Sequence, residues 1–423
     1  MPGPEQQSSM LRDASARDAL ARTVREYVAA HADEMVGYLD EVVRIPSIWG
    51  DVKQLARLAT VLGRPLERAG AGVAYTDSGT PNAPNVLARI GRQGGGSGAA
   101  RNLLFCGHFD VYPPSHGWSF DPFAGRIHEG KLFGAGAADM KGGTVAMIMA
   151  GTVLAALGLP RSGQATLLAI PNHFEGGEGT RRALDDGLTA EAGIVCEPTD
   201  LDICAAQRGI LYLTVRIKGV AAHSTAAHLG VNAIELIAPI IEAVKADAFT
   251  CPTHDAYGPQ KIVNVAMVNG GLRHCLIPED CTLTIDIRFA PSTTAEAVLA
   301  EARQILAGIC ARDHRLRMTC EPEETCIRNP RSPMPWFEHP IRDAVARAHH
   351  SIVGRRCNVA CHPAWPDTPV LIERGVPSVT YGPGSKYCYW DEEYVPIDEY
   401  LHAIEVYATT GASWCDAHDA ARA

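Results

Sequence analysis

The sequence predicts an α/β fold in which a smaller α+β domain is inserted into a large α/β domain. Apolar strand-like runs alternate with helical patterns in the first half of the chain, which is typical of a sheet covered by helices on both faces. From about residue 208 the pattern changes to half-buried strands, and after about 318 the first pattern returns. These changes predict a large domain of 1–207 and 319–423, interrupted by a small domain of 208–318.

The elements of the large domain follow from the spacing of apolar residues. Helices are predicted where such residues recur every three to four positions: 14–43, 52–68, 144–157 and 180–186. Pro46 follows the first helix and cannot continue it. Strands are predicted where apolar residues run without interruption: 85–90, 102–106, 165–170 and 193–196.

The small domain has a strand-helix-strand-strand-helix pattern. Alternating apolar residues predict its first strand, from Leu211 to Ile217. The elements that follow are a helix at 232–246, strands at 262–268 and 281–289, and a helix at 294–306. This order favours an antiparallel sheet with helices on one face.

Composition excludes several classes of protein. The 423 residues carry a net charge of -10, so the chain offers no basic face for nucleic acid. No run of about 18 apolar residues exists to span a membrane, and the N-terminus does not resemble a secretory signal. Thirteen cysteines are scattered at irregular spacing, which is typical of reduced thiols. We therefore expect a cytoplasmic protein.

Three segments at the predicted edge of the large sheet carry the candidate chemistry. His108 and Asp110 follow a buried strand, Asp139 precedes a helix, and Glu197 follows another strand. Because ligands gather at the carboxyl ends of strands in open α/β sheets, these side chains are expected to meet. One imidazole and two carboxylates suit zinc, or a harder ion such as manganese. Asp110 is expected to orient His108 by accepting its second N–H.

These segments resemble the M20 family of metallopeptidases and deacylases. The similarity extends from Arg44-Ile45-Pro46-Ser47 to Glu393-Tyr394-Val395. It implies a zinc-binding α/β domain, or one that takes manganese or cobalt, with an inserted lid domain that often forms a homodimer. It also implies that His108 and Glu197 bind one ion, that Asp139 bridges two, and that a cis peptide bond follows Asp139.

The resemblance also assigns substrate contacts outside the metal segments. Arg208 opens the lid. His223 matches the lid histidine that polarises the substrate carbonyl in a neighbouring subunit, and Arg288 matches an arginine that binds a substrate carboxylate. Gly384 lies in a Gly-Pro-Gly-Ser turn and is a further candidate contact. Without the family context, a surface ion pair would be the preferred interpretation of Arg288.

Two departures from the family concern its second metal. The family's adjacent glutamates, a general base and a ligand, correspond to His173 and Phe174, or to Phe174 and Glu175 if one residue is deleted. The family's C-terminal histidine ligand corresponds to Tyr389 or Trp390. We therefore expect one tightly bound ion rather than two. Glu175, Glu178 and His173 are then able to act as the general base. Glu175 and His173 are the preferred candidates, because Glu178 also suits the N-terminus of a helix.

Three functional hypotheses follow. The first is a metal-dependent amidohydrolase that acts on a small, carboxylate-bearing N-acyl amino acid or peptide-like substrate. The second is a repurposed scaffold that catalyses acyl transfer, cyclisation, elimination or isomerisation, since losing the usual base disfavours hydrolysis. The third is a non-catalytic binding protein. Metal content separates the third hypothesis from the others.

Overall fold

The structure, a computed structural model, describes residues 4–91, 101–246, 262–323, 334, 338–387 and 392–416. The chain divides into two compact units. The first consists of Met1–Ala205, Phe337–His362 and Pro366–Ala423, and the second of Ala206–Trp336 and Pro363–Trp365. The domain limits predicted from sequence, 208 and 318, stay a prediction.

Strands are numbered in chain order over the described residues. They are β1 (Gly72–Thr76), β2 (Asn85–Gly91), β3 (Asn102–His108), β4 (Arg126–His128), β5 (Lys131–Phe133), β6 (Gln164–Ile170), β7 (Ala192–Val195), β8 (Ile203–Gln207), β9 (Gly209–Lys218), β10 (Ala222–His223), β11 (Ile262–Gly270), β12 (Leu276–Ile277), β13 (Asp280–Phe289), β14 (Arg317–Pro322), β15 (Val359–His362), β16 (Ser378–Thr380) and β17 (Tyr394–Pro396).

The described α-helices are numbered in the same way. They are α1 (Pro4–Ala30), α2 (Ala32–Val43), α3 (Val52–Arg68), α4 (Gly142–Ala156), α5 (Glu178–Asp185), α6 (Ala238–Lys245), α7 (Ala295–Arg312), α8 (Pro340–Val353), α9 (Thr368–Glu373) and α10 (Ile397–Cys415). Shorter helical turns occur at Ala137–Lys141, His173–Glu175, Ser224–Leu229 and Glu235–Ile237. The predicted helix 14–43 is two helices, because the backbone leaves the helical conformation at His31 (φ -120°, ψ 13°).

The first unit is built on an eight-stranded sheet in the order β1-β2-β6-β3-β7-β16-β8-β15. Its central strands β6, β3, β7 and β16 are parallel. Six of the seven residues of β3 are buried, because helices cover both faces of a parallel sheet. Helix α4 is buried along almost its whole length and packs against α10. The predicted α/β fold class is confirmed.

The second unit is built on an antiparallel sheet in the order β11-β13-β9-β14. Burial alternates along β13, as expected for a strand with one covered face. Helices α6 and α7 contact this sheet and each other. The inserted α+β architecture is therefore present. Among the helices of the described residues, none combines the length and apolarity needed to cross a membrane.

Candidate metal centre and active site

The parallel strands bring the candidate residues to one edge of the large sheet. Strand β3 lies between β6 and β7, so the carboxyl ends of all three strands are neighbours. His108 is the last residue of β3, Glu197 follows β7 by two residues, and His173 follows β6 by three. Each side chain reaches the same buried space because the strands end at the same level.

His108 is the centre of the resulting cluster. Its Nε2 atom lies 3.1 Å from Oδ1 of Asp139 and 3.4 Å from Oε1 of Glu197. On the other side of the ring, Nδ1 lies 3.0 Å from the backbone oxygen of Asp110 and 3.4 Å from its carboxylate. All four residues are buried. The structure thus brings the predicted ligands together, and Asp110 contacts His108 mainly through its carbonyl.

The carboxylate of Asp110 has a second partner that the sequence did not reveal. It accepts hydrogen bonds from the backbone N–H groups of His173, at 3.2 Å, and Phe174, at 3.4 Å. Asp110 therefore connects the end of β3 to the short turn His173–Glu175, and fixes the turn against the cluster.

Asp139 is held by its backbone. It lies in the tight turn Ala137–Lys141, and the peptide bond between Asp139 and Met140 is cis, as the resemblance implied. The carboxylate of Glu393 accepts hydrogen bonds of 2.8–2.9 Å from the N–H groups of Gly136, Ala138 and Asp139. Burial raises the pKa of Glu393 to about 8. Sequence reasoning missed this carboxyl group, because it comes from a segment far along the chain.

His173 is paired with a buried carboxylate. Its Nδ1 atom lies 2.8 Å from Oδ1 of Asp367, whose Oδ2 accepts a 2.5 Å hydrogen bond from Thr180. Burial opposes ionisation of Asp367, but His173 and Thr180 outweigh it, so the pKa of Asp367 is lowered. The His173 ring stacks on that of His108, with ring centroids 4.4 Å apart. Nε2 of His173 is left facing Glu197, 4.0 Å from its Oε1.

Phe174 and Glu175 take different directions from the same turn. The Phe174 ring is edge-on to that of His108, with 5.4 Å between centroids, and lies against Tyr112. Oε1 of Glu175 accepts a 3.4 Å hydrogen bond from Nε1 of Trp49. Of the two predicted candidates for a base, the structure therefore brings His173, and not Glu175, to the histidine–carboxylate cluster.

The chemistry of the donor set fits a divalent cation. Burial opposes protonation of His108, but the neighbouring carboxylates outweigh it and raise its pKa well above the usual value. Burial, and then Asp139, raise the pKa of Glu197. Ligating atoms of His108, His173 and Glu197 lie within 4.8 Å of one another, and bonds of about 2.1 Å to a tetrahedral ion require ligand separations of about 3.4 Å.

Two of the three candidates in the second unit, His223 and Arg288, have a partner within that unit. Arg208 is buried directly before β9. His223 is exposed, and its Nδ1 lies 2.8 Å from Oγ1 of Thr225. The guanidinium of Arg288 forms two hydrogen bonds, of 2.8 and 2.9 Å, with the carboxylate of Asp286. Their proposed contacts with substrate stay predictions.

The remaining candidates lie near the C-terminus of the first unit. The N–H of Gly384 donates to Glu399, and its carbonyl accepts from the N–H of Asp200. A methyl group on Gly384 would lie 3.1 Å from the side chain of Ala138, which is a tight contact, and the φ of +87° also favours glycine at this position. The proposed contact of Gly384 with substrate stays a prediction. The predicted replacements of the family histidine, Tyr389 and Trp390, lie outside the described residues.

Comparisons with known proteins agree with this geometry. The model of peptidase family M20/M25/M40 matches residues 104–412. A deformylase of N-formyl-4-amino-5-aminomethyl-2-methylpyrimidine from Halalkalibacterium halodurans is 24% identical over 93% of this chain and 98% of its own. A succinyl-diaminopimelate desuccinylase from Acidiphilium cryptum is 33% identical over 59% of this chain and 66% of its own. The structure of human carnosine dipeptidase 1 has a TM-score of 0.76 at 18% identity, over 94% of this chain and 100% of that chain.

Proposed function

This chain belongs to peptidase family M20/M25/M40 and is a metal-dependent hydrolase, and on that premise we propose that it hydrolyses the amide bond of a small N-acyl amino acid or peptide-like substrate. The observation that carries the proposal is the His173–Asp367 pair, in which the second imidazole nitrogen, Nε2, lies 4.0 Å from Oε1 of Glu197 in the cluster. A proton acceptor beside a divalent cation is the combination that amide hydrolysis requires.

His108, Asp139 and Glu197 are proposed to hold one divalent cation, with zinc favoured by the mixture of nitrogen and oxygen donors. A cation bound there supplies Lewis-acid polarisation of the scissile carbonyl. A single ion is favoured because the position next to His173 holds Phe174, which has no donor atom. Asp110 and Glu393 act as positioning residues, since one fixes His108 and the other the Asp139 turn.

His173 is proposed to move the proton. Donation of the Nδ1 proton to Asp367 would make Nε2, on the side of the cluster, the basic nitrogen. Nε2 takes a proton from water as the water oxygen bonds to the carbonyl carbon, and it returns that proton to the leaving nitrogen as the C–N bond breaks. The second proton of the water also ends on the leaving nitrogen, so the products are a carboxylate and a protonated amine, and no other reactant is needed.

The substrate class is inferred from the relatives and from the second unit. The two curated relatives remove a formyl and a succinyl group from nitrogen, according to their names. Arg288 is proposed to bind a substrate carboxylate, with Arg208, His223 and Gly384 as further contacts. The relatives do not favour the non-hydrolytic alternative.

We further propose a homodimer, formed through the second unit. Strand β11 is at the edge of its sheet and exposes Met267 and Val268, and an open apolar edge is a template for pairing with another chain. A cytoplasmic location is also proposed, because ten cysteines within the described residues are free thiols.

The proposal is tested with purified, metal-loaded protein and a panel of N-formyl, N-acetyl and N-succinyl amino acids and dipeptides, by measuring released amine. We expect turnover of at least one member of the panel. His173→Gln is expected to lower kcat by about 10²–10⁴-fold, since general base catalysis is worth about that much. His31→Gln, in a partly buried histidine whose ring stacks on that of Tyr27, is the matched control and should change kcat little.

Metal content, measured on the same samples, decides the role of His173. A base leaves stoichiometric metal in His173→Gln, whereas loss of the metal would show that His173 is a ligand and would overturn the assigned role. A fully loaded wild-type protein that cleaves no amide in the panel contradicts the proposed function itself.

A further inference from the structure

We infer that a second cavity of the first unit, far from the metal cluster, binds an oxyanion, the phosphate or carboxylate group of a small molecule. The cavity is lined by residues of α1, α8 and α10 and has a volume of about 480 Å³. This volume is within the range of about 300–1,000 Å³ of small-molecule sites. The inference does not depend on the proposed amide hydrolysis.

The cavity and the metal cluster lie at opposite ends of strand β3. Arg101 lines the cavity and directly precedes β3, whereas His108 of the cluster is the last residue of that strand. The seven residues of β3 span about 20 Å. None of the described residues that line the cavity belongs to the cluster, so a ligand bound here does not occupy the metal site.

Arginine side chains give the cavity a positive charge. Arg17 of α1, Arg101 and Arg347 of α8 line it, and Asp416 is the acid of the described lining. Oδ1 of Asp416 accepts hydrogen bonds from the backbone N–H and the hydroxyl of Ser162. Even if only Arg17 and Arg347 are counted, positive charge exceeds negative charge. Such a cavity suits phosphate and carboxylate groups, because a guanidinium can donate two parallel hydrogen bonds to either.

Arg17 and Arg347 repel each other across the cavity. Burial and then the charge of Arg17 lower the pKa of Arg347, and Asp343 opposes this shift. Among the described residues, no acid forms an ion pair with either guanidinium, and Asp18 instead accepts a hydrogen bond from the hydroxyl of Ser351. Arg347 is exposed to solvent, so a ligand can reach it. A bound anion would replace this repulsion by attraction.

Buried hydrogen-bond donors beside the arginines lack an acceptor. Thr409 is 1% exposed and Trp414 is 7% exposed, and both line the cavity. Neither Oγ1 of Thr409 nor Nε1 of Trp414 has a hydrogen-bond partner in the part of the chain that the structure describes. A buried donor without a partner is costly. The guanidinium of Arg101 lies over the Trp414 ring, 5.1 Å from its centroid, so charge and the indole N–H are neighbours.

Other occupants meet these requirements less well. Water can accept hydrogen bonds from Thr409 and Trp414, but it carries no charge to offset the arginines. An apolar group would leave both donors without an acceptor. A cation would be repelled by Arg17 and Arg347. An oxyanion offers acceptors and negative charge together.

The inference is tested on the full-length, metal-loaded protein with isotope-labelled tryptophan, whose indole N–H signals are followed by NMR. The protein is titrated with sodium phosphate and with sodium succinate, and sodium chloride at equal ionic strength is the blank. The signal of Trp414 is assigned by its disappearance in Trp414→Phe. We expect phosphate, succinate or both to shift this signal saturably, because the indole N–H gains an anionic acceptor, and chloride to leave it unchanged.

Arginine variants show whether the guanidinium groups hold the anion. Arg17→Gln and Arg347→Gln are each expected to weaken binding by about 10-fold or more, because a hydrogen bond to a charged group contributes that much. Arg57→Gln is the matched control and should keep the affinity. Arg57 is an exposed arginine of α3 that, among the described residues, forms no ion pair.

A shift of the Trp414 signal by phosphate alone identifies the ligand group as a phosphate, and a shift by succinate alone identifies it as a carboxylate. A signal that responds to neither oxyanion, or equally to chloride, overturns the inference, as does binding that survives both arginine substitutions. Glu197→Gln separates this result from the proposed function, because it should lose metal and keep the response of Trp414.

Discussion

The candidate residues of the two units differ in how they are held. In the first unit, His108, Asp139 and Glu197 are buried at the ends of neighbouring elements, and each is fixed by backbone or by another buried group. In the second unit, His223 is exposed and Arg288 is paired with Asp286. The side chains of the first set are held in position without a ligand. In the second set, Arg288 must leave Asp286 before it can bind a substrate carboxylate. Substitutions in the first unit should therefore change metal binding and kcat, and those in the second should change KM.

The largest effect is expected from Glu197→Gln, which removes a charge from the cluster and leaves its shape. We expect metal affinity to fall by more than about 100-fold, because even outer partners of a metal site are worth about 10–100-fold. Loss of the Lewis acid should then lower kcat/KM by at least about 10³-fold. Isothermal titration with zinc and the amine-release assay measure the two quantities.

Glu178→Gln is the matched control for this change. Glu178 begins α5 and its side chain lies against Gly79. If Glu197→Gln leaves the metal affinity unchanged, or if both variants reduce it equally, Glu197 is not a specific metal ligand. The difference between the two units in metal binding would then be contradicted.

A smaller effect is expected from Asp367→Asn. The amide cannot accept the Nδ1 proton of His173 in the same way, so the imidazole loses its preferred tautomer and orientation. We expect kcat to fall by about 10–100-fold while KM and metal content change little. Thr180→Val removes the other hydrogen bond to Asp367 and should cause a smaller loss. Equal changes in KM and kcat would show that Asp367 only stabilises the fold.

The metal segments could be predicted from the sequence because a local rule applies to them. Polar residues directly after apolar strands mark the edge of an α/β sheet, and His108, Asp110 and Glu197 all follow this pattern. The bounds of α3, Val52–Arg68, were predicted for a similar local reason. Because these strands are parallel, their carboxyl ends then lie at the same edge of the sheet.

The partners of these residues could not be predicted. Asp367 is 194 residues from His173, and Glu393 is 254 residues from Asp139. No periodicity connects such distant positions, so only the folded chain reveals the pairs. The break at His31 was missed because neither proline nor glycine marks it. The choice between His173 and Glu175 also needed the structure, since both fit the same short segment.

In the second unit, Arg288→Ala tests whether the arginine binds substrate. We expect KM for carboxylate-bearing substrates to rise by about 10-fold or more, because a hydrogen bond to a charged group is worth about 1.5–3 kcal/mol. The metal content and kcat should stay near the wild-type values. An ester-capped substrate without the carboxylate should show little change.

Asp286→Asn separates this role from a structural ion pair. If the Arg288–Asp286 pair only stabilises the sheet, both variants should lower the free energy of unfolding to a similar degree and leave KM unchanged. Such a result would show that Arg288 of the second unit does not bind substrate. The functional residues would then be those of the first unit.

The smallest effect is expected from Glu405, a buried acid of the first unit that lies outside the cluster. Its side chain in α10 is 6% exposed, and its Oε2 has no hydrogen-bond partner in the part of the chain that the structure describes. Burial raises its pKa to about 7, and Arg25 opposes this only in part. Glu405 thus tests whether burial alone marks a functional acid.

The direction in which pH changes the effect of Glu405 on stability follows from its two pKa values. The pKa of Glu405 is about 7 in the folded protein and about 4.3 in the unfolded chain. The folded protein binds this proton more tightly, so the contribution to stability is complete below the unfolded pKa and is lost as pH rises to about 7. Glu405→Gln keeps the uncharged form at every pH. It should therefore raise the free energy of unfolding by about 1–2 kcal/mol at pH 8 and by little at pH 4. Urea denaturation at both pH values measures this difference, and zinc binding and kcat should not change. If Glu405→Gln instead destabilises the protein at pH 8, the Glu405 carboxylate has a stabilising partner. Glu405 would then no longer serve as an example of an acid that is only buried, and Glu197→Gln alone would identify the metal-binding acid.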